Sequence, residues 1–232
     1  MAEKKGEHSS ESREDYLRCI YKAGGCTDYV PNKVLATELG VAVSSITEML
    51  NRLQKEGYLE YKAYHGSKLT EKGKERGASL IREHRLWEVF LMEHLGYTWR
   101  EAHEDAHKLE HIDSPRLVER LDAYLGHPKH CPHGSPIPGN EDEAESEKGE
   151  DLIPLAELKE GEEAMVARIR EEGDLLDYLG RIGLKIDRKI KVEKKEEFEG
   201  PIHFLQEEKD GKTTLIAIAV KAADGVYVRR NP

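Results

Sequence analysis

The sequence predicts an α+β protein of several domains: an N-terminal winged helix-turn-helix, an all-helical middle region and a C-terminal small β-barrel. Three patterns favour this arrangement. Two short amphipathic segments meet at a turn containing Gly40, helical spacing of apolar residues continues to about residue 125, and a period of two takes over after an acidic run. The length of 232 residues accommodates two or three small domains. We place the domains at 1–72, 73–138 and 155–232, with an acidic linker at 139–154.

The N-terminal domain is predicted from three amphipathic segments and one hairpin. Apolar side chains recur at helical spacing over 12–23, 32–39 and 44–56. Two strand-like segments, 58–61 and 67–70, flank His65 and Gly66 and predict a β-hairpin. A hairpin directly after the second helix of a helix-turn-helix makes the winged variant of that motif.

The middle and C-terminal regions differ in the period of their apolar residues. Helices are predicted over 71–95, 99–112 and 115–125, and Pro115 stands at a first helical position. The last third has strand-like segments at 164–169, 186–192, 203–206, 215–220 and 226–228. One helix, 174–182, interrupts this pattern. A five-stranded small barrel follows from it.

Composition excludes several classes of protein. No apolar run approaches the roughly 20 residues that cross a bilayer, so we expect no membrane span. Residues 1–14 are polar and charged, so no secretory signal is expected. The three cysteines are odd in number, which excludes a scaffold built from disulfides and favours reduced thiols in the cytoplasm.

The formal net charge of −10 argues against a nucleic-acid binder only until the charge is located. Residues 140–151 contain seven acidic residues and one lysine, so this segment carries −6 of the total. Residues 1–70 contain ten Lys or Arg and ten Asp or Glu. The winged helix-turn-helix is therefore neutral, and DNA binding stays open.

Histidines concentrate in the helical region, where eight of the eleven lie between His84 and His133. His103, His107 and His111 recur at every fourth residue with Glu110 beside them, and the preceding helix carries His84 and Glu88 at the same spacing. Imidazoles and carboxylates converging from two helices suit Mn²⁺, Fe²⁺ or Zn²⁺. The alternative is a charged helix face on which histidine is only filler. A further cluster follows at His127, His130, Cys131 and His133.

A second functional class remains open because residues 103–107 form a literal H-E-x-x-H. In zinc proteases this motif supplies two histidine ligands and a glutamate general base. The chain offers no clear third ligand for it, and a winged helix precedes it instead of a mixed sheet. A zinc-dependent metallohydrolase is therefore the weaker hypothesis, and a metal buffer without DNA preference is another.

Six segments in a shared order resemble one family: SREDYLRCIY, VSSITEMLNRLQKEGYLEY, LTEKGKERG, REHRLWEVFL, HEDAHKLEHI and CPHGSPIPG. The chain resembles the diphtheria-toxin-repressor-type metalloregulators over nearly its whole length. The resemblance implies a winged-helix DNA-binding domain, a helical metal-binding dimerisation domain, and an SH3-like domain similar to those of ferrous-iron transport proteins. It also implies a non-enzymatic repressor without catalytic residues.

The resemblance also implies two metal sites. The primary site would contain Asp15, His107, Glu110 and His111, although His107 departs from the residues usual in either branch of the family. The ancillary site would use His84, Glu88 and His103, as in iron-type members, or Cys131 and His133, as in manganese-type members. A carboxylate of the third domain, Asp174 or Glu171, would complete it. This second site could hold one ion or two.

The mechanism that follows has Mn²⁺ or Fe²⁺ as corepressor, with Zn²⁺ binding possible in vitro. The metal would order a homodimer for binding double-stranded operator DNA and so control metal-uptake genes. Base contacts are predicted for Ser44, Ser45, Thr47, Glu48 and Asn51, and phosphate contacts for Arg52 and Lys33. The alternative role for the two serines is capping of the helix.

Overall fold

The computed structural model describes residues 3–112, 114–139 and 152–230. Residues 140–151, the core of the expected acidic linker, lie outside the described residues. The chain divides into two compact units, of which the first comprises Met1–Glu83 and Glu110–Asp113 and the second His84–Leu109 and Ser114–Pro232. Each unit has a hydrophobic core of its own.

The first unit is a winged helix-turn-helix, as predicted. Its elements are α1 (Glu3–Lys22), α2 (Asn32–Leu39), α3 (Val43–Lys55), β1 (Leu59–Lys62), β2 (Gly66–Leu69) and the first part of α4 (Glu71–Leu95). One core joins α1, α2 and α3 through four fully buried side chains, those of Ile20, Leu35, Ile46 and Leu50. Gly40 ends α2 with a φ of 64°, a left-handed conformation that glycine adopts without strain.

The wing is an antiparallel pair in which Leu59 lies opposite Leu69 and Lys62 opposite Gly66. Val30 bridges to Ser67 on the other side of β2 through backbone bonds of 2.8 and 3.0 Å. A Cβ atom at Gly66 would lie 1.9 Å from the carbonyl oxygen of Val30. Only glycine fits there, so the predicted turn residue proves to be a packing residue as well.

The helical part of the second unit contains the rest of α4, α5 (Trp99–Leu109) and α6 (Pro115–Tyr124). Leu86, Val89 and Leu121 form one small core, and Leu91 packs with Ala102 and Ala106 in another. Helix α5 ends three residues before the predicted end at 112, and Glu110 and His111 form a turn that belongs to the first unit. No helix among the described residues is long and apolar enough to cross a membrane.

The C-terminal part is an antiparallel sheet with the strand order β3-β8-β4-β5-β6-β7. Its strands are β3 (Leu152–Pro154), β4 (Glu163–Ile169), β5 (Lys189–Lys195), β6 (Ile202–Glu207), β7 (Thr213–Ile218) and β8 (Val226–Arg230). Two helices accompany the sheet, α7 (Gly173–Ile182) and α8 (Val220–Ala223). Strand β4 shifts its register against β8 between Val166 and Arg168.

Two of the differences from the sequence prediction have a local cause. Within the described residues the sheet has six strands instead of five, because β3 pairs with β8 from within the segment expected to be linker up to residue 154. A strand of three residues is too short to display a period of two. Strand β5 begins at Lys189 instead of 186, because Asp187 takes a φ of 55° that interrupts extended backbone.

Candidate metal centres

The first unit brings three predicted ligands together, which we call the primary cluster: Asp15, Glu110 and His111. Each offers a ligand atom within 4.8 Å of the others. The Nε2 atom of His111 lies 3.4 Å from Asp15 Oδ1 and 3.8 Å from Glu110 Oε1. Asp15 stands on α1, whereas Glu110 and His111 follow the end of α5. An ion among these atoms would be bound by residues about 95 positions apart in the chain.

The imidazole of His111 is held by a second carboxylate, that of Glu14. His111 Nδ1 lies 2.8 Å from Glu14 Oε2, and Glu14 also forms an ion pair with Arg76. Burial alone would lower the pKa of His111, but hydrogen bonds to Asp15 and Glu14 raise it to about 10. A carboxylate on one ring nitrogen directs the other nitrogen towards a metal ion. An ion at Nε2 has to displace a proton, so binding is coupled to pH.

Glu110 is fully buried and is neutralised by Arg18 of α1. The guanidinium contacts both carboxylate oxygens, with Nε 3.2 Å from Oε1 and Nη1 3.4 Å from Oε2. Sequence reasoning missed Glu14, Arg18 and Arg76. Arg18 follows Asp15 by three residues on α1, a spacing that places both on one face of the helix. This spacing is the sequence signal that could have placed Arg18 beside the metal ligands. Nothing in the sequence pointed to Arg76.

Replacing Glu14 with Gln should lower the pKa of His111 in the metal-free protein, because one of its two hydrogen-bonded carboxylates is lost. The raised pKa of His111 stabilises the folded state fully below pH about 6.5, and this contribution disappears as the pH rises through about 10. In the variant this contribution should be smaller, and it should be fully lost at a lower pH than in the wild type. NMR titration of His111 and thermal unfolding against pH measure both effects. Glu75→Gln, at an exposed carboxylate, is the control, and an unchanged His111 titration in Glu14→Gln would contradict the assignment.

The second unit contains a larger group, the ancillary cluster: His84, Glu88, His103, Cys131, His133 and Glu171. Glu88 is at its centre and is fully buried. Its Oε1 atom lies 2.9 Å from His84 Nε2 and 2.9 Å from His103 Nδ1. Its Oε2 atom lies 3.2 Å from His133 Nδ1. The two ligand sets expected from separate branches of the family thus share one carboxylate.

The electrostatics of the cluster follow from its burial. Burial would raise the pKa of Glu88, but the charges of His133 and His84 and a hydrogen bond from His103 hold it well below its usual range. Burial, followed by the charge of Glu88, raises the pKa of the Cys131 thiol. Without metal the cluster is therefore a carboxylate paired with imidazolium beside a neutral thiol. A cation bound there would have to replace protons on His133 and Cys131.

Cys131 and His133 are presented by a tight loop that rests on β4. The carbonyl of His133 accepts a hydrogen bond of 2.9 Å from the N–H of Ile169. Gly134 has a φ of 81°, and a Cβ atom there would lie 1.9 Å from the carbonyl oxygen of Ala167. The C-P-H-G segment therefore needs its glycine for contact with the sheet.

Changing Gly134 to Ala should push this loop away from β4 and destabilise the second unit by about 1–3 kcal/mol. We also expect weaker cation binding at Cys131 and His133. Gly126→Ala is the matched control, because Gly126 has a φ of 74° but nothing within 4 Å of an added Cβ. Thermal unfolding and metal titration of both variants separate the backbone strain from the lost contact. Equal behaviour of the two would refute a special role for the loop contact.

Of the two carboxylates expected from the third domain, the structure places Glu171 in the ancillary cluster and Asp174 outside it. Asp174 is fully exposed and pairs with Arg100 at 3.2 Å, on the first turn of α7. Glu171 precedes that helix, and its Oε1 lies 4.0 Å from Arg85 Nε. The prediction of Asp174 as a ligand is therefore corrected, because the register of α7 directs it to Arg100.

The remaining histidines do not support the hydrolase hypothesis. Among the described residues, no candidate cation group joins His103 to His107. Glu104, the would-be general base, is exposed and pairs with Arg100 at 2.7 Å. His127 pairs with Asp122 at 2.6 Å and belongs to no such group in the described part of the chain.

The predicted DNA contacts lie mostly on the exposed face of α3. Thr47 is half-buried. The other predicted contact residues are exposed: Ser44, Ser45, Glu48, Asn51, Arg52 and, on α2, Lys33. Ala42 is the N-cap of α3, without any side-chain capping bond. The capping alternative for the serines is therefore wrong, since the helix begins one residue earlier than expected.

Three family models match the chain in succession. The iron dependent repressor N-terminal DNA binding domain covers residues 8–67, the iron dependent repressor metal binding and dimerisation domain covers 70–139, and the FeoA domain covers 153–230.

Individual relatives agree with these models. The iron-dependent repressor IdeR of Mycobacterium tuberculosis is 31% identical over 195 residues, which cover 79% of this chain and 84% of the relative. A solved manganese-dependent transcriptional repressor in complex with manganese is 32% identical with a TM-score of 0.80, over 94% of this chain and all of its own. The structure of ScaR with bound Zn²⁺ is 37% identical with a TM-score of 0.72, over 94% of this chain and 99% of its own.

Proposed function

Because this chain belongs to the family of iron- and manganese-dependent transcriptional repressors, we propose that Mn²⁺ or Fe²⁺ is its corepressor and operator DNA its target. One observation carries the proposal. Asp15 of α1 meets Glu110 and His111 at ligand distances, although these residues are far apart in the chain. The same helix packs on the helix-turn-helix through Leu17 and Ile20. A divalent ion there would replace the proton on His111 Nε2 as the positive charge between the two carboxylates.

Residues of this chain would convert metal binding into orientation of the DNA-binding helices. Asp15 and Glu110 are the anionic ligands, and Glu14 directs the Nε2 atom of His111 towards them. His107 remains a ligand of the primary site in this proposal, because it precedes Glu110 by three and His111 by four residues. Fixing Asp15 restrains α1, so the free energy of metal binding becomes free energy of orientation.

We further propose that the chain acts as a homodimer in the cytoplasm. Leu117 and Tyr124 of α6 expose 38% and 65% of their surface. The Tyr124 ring extends an aromatic group with Phe90 and His94, at centroid distances of 6.3 and 5.1 Å. An apolar, aromatic surface of this kind suits contact with a second copy. In such a dimer the two α3 helices would insert into successive major grooves, about 34 Å apart.

The proposal is tested by titrating Mn²⁺, Fe²⁺ and Zn²⁺ anaerobically while metal binding and DNA affinity are followed together. The DNA is a pool of random duplexes, selected once with metal and once with chelator. We expect selection of a palindromic sequence only with metal. Tight metal binding without sequence selection would identify a metal buffer instead. Peptide hydrolysis with added Zn²⁺ would support the metallohydrolase.

Two substitutions on α3 should have different effects on the selected operator. Asn51→Ala should cost about 1–3 kcal/mol and relax the preference at one base pair, whereas Arg52→Ala should weaken all sequences alike and reduce the salt dependence by about one phosphate contact. Lys191→Ala is the control, since this lysine is also exposed but lies on β5, outside the winged helix-turn-helix. Unchanged operator affinity in both α3 variants of metal-loaded protein would exclude α3 as the recognition helix.

A further inference from the structure

The two oxygens of the Glu88 carboxylate face different groups of donor atoms. Oε1 contacts the imidazoles of His84 and His103, and Oε2 contacts the imidazole of His133. Cys131 Sγ lies 3.8 Å from the same nitrogen of His133. A carboxylate that offers one oxygen to each side is the usual bridge between two cations.

The first side has the dimensions of one face of an octahedral complex. Glu88 Oε1, His84 Nε2 and His103 Nδ1 form a triangle with sides of 2.9, 2.9 and 3.1 Å. In an octahedral complex with bonds of about 2.1 Å, adjacent donor atoms lie about 3.0 Å apart. Two imidazoles and one carboxylate in this arrangement suit Mn²⁺ or Fe²⁺.

The second side has wider spacing and a softer donor. Glu88 Oε2 is 3.2 Å from His133 Nδ1, which is 3.8 Å from Cys131 Sγ. Tetrahedral complexes of Zn²⁺, with bonds of about 2.1 Å to nitrogen and 2.3 Å to sulfur, separate these donors by about 3.4–3.6 Å. This side therefore favours a borderline cation with a thiolate ligand, and its geometry differs from that of the first.

Glu171 reaches both sides. It offers a carboxylate oxygen within 4.8 Å of the ligand atoms of Cys131 and His133, and it likewise belongs to the group with His84 and His103. With Glu88 it gives the cluster two carboxylates that are common to both groups. Carboxylate-bridged ions lie about 3.5–4 Å apart in two-metal sites, a distance that the two oxygens of one glutamate readily span.

We propose that the ancillary cluster holds two divalent cations at once, bridged by Glu88 and Glu171. One is bound by His84 and His103, and the other by Cys131 and His133. This inference rests on the proposed function, since it concerns the metal response of the same chain. Together with the primary cluster it gives three cations per chain.

The count is tested on the full chain with Co²⁺, followed by native mass spectrometry and by the thiolate-to-cobalt absorption. The wild type should bind three Co²⁺ ions. Cys131→Ser should bind two and lose the thiolate band, His103→Ala should bind two and keep it, and the double variant should bind one. His103→Asn is a smaller change and replaces His103→Ala if that variant misfolds. Circular dichroism verifies the fold of each variant. With Mn²⁺, a spin-coupled electron paramagnetic resonance signal should appear in the wild type and in neither single variant.

A wild type that binds only two ions would overturn the bridged pair. So would a double variant that binds as many ions as each single variant, because both changes would then remove the same ion. Operator affinity measured on the same samples separates this outcome from failure of the proposed function. Metal-dependent DNA binding with only two ions refutes the pair alone, whereas three ions without any effect on DNA refute the repressor mechanism alone.

Discussion

Replacing Glu110 with Gln should abolish metal-dependent operator binding. The change removes a fully buried carboxylate of the primary cluster that lies 3.8 Å from His111 Nε2, and with it one of the two anionic ligands. Loss of an outer partner of a metal ligand commonly weakens binding about 10–100-fold, so loss of a ligand itself should cost on the order of 100-fold or more. Operator affinity with metal should then fall to the level of the metal-free protein. Fluorescence anisotropy on labelled operator measures the loss.

Glu104→Gln is the matched control for this variant, because Glu104 lies on α5 and is exposed. It should leave the metal response intact, whereas a zinc hydrolase would lose its general base. Gel filtration should show the same oligomeric state for both variants. Thermal unfolding should show a clear loss for Glu110→Gln alone, since largely buried Arg18 loses a charged partner. A Glu110→Gln protein with the full metal response would refute the primary cluster as the switch.

Replacing Glu88 with Gln should destabilise the metal-free protein by about 3–5 kcal/mol. The change removes the buried carboxylate that pairs with the imidazolium of His133 inside the second unit. Because the pKa of Glu88 is lowered, the ion pair stabilises the folded state fully above pH 4.5, the pKa of this carboxyl in the unfolded chain. Because the pKa of His133 is raised, the same stabilisation is complete below pH 6.5, the pKa of this imidazole in the unfolded chain. The deficit should therefore be largest between about pH 4.5 and 6.5. It should shrink as the pH falls below this window or rises through the pKa of His133.

Urea unfolding of the metal-free protein across this pH range tests the prediction, and Glu93→Gln, at an exposed position of the same helix, is the control. The Glu88 variant should also lose both ancillary cations while it keeps the primary one. A pH-independent deficit would mean that packing, and not the charge of Glu88, stabilises the cluster.

The sequence predicted the elements best where local signals marked both ends. Helices α2 and α4 begin and end at the predicted residues, and α2 has Pro31 before it and Gly40 after it. The short strand β3 was missed because it exists only through pairing with β8, more than 70 residues away. Pairing at that distance leaves no periodic signal in three residues.

The candidate sites were predictable in their members but not in their grouping. Helical spacing alone selected His84, Glu88 and His103. Asp15 entered only through resemblance to a family, because a single carboxylate on a first helix carries no spacing signal. The convergence of both ancillary sets on Glu88 depends on how α4, α5 and the C-P-H-G loop pack, which no local pattern encodes.

The register shift in β4 lies where the C-P-H-G loop contacts this strand. Ala167, the residue at the shift, is the one whose carbonyl would meet a Cβ atom at Gly134, and Ile169 bonds to His133 two residues later. A bulge re-aims the backbone around it. The number of residues in β4 and the position of the C-P-H-G loop are thus physically linked, so deleting one residue from this strand to regularise the sheet would weaken cation binding without changing any ligand.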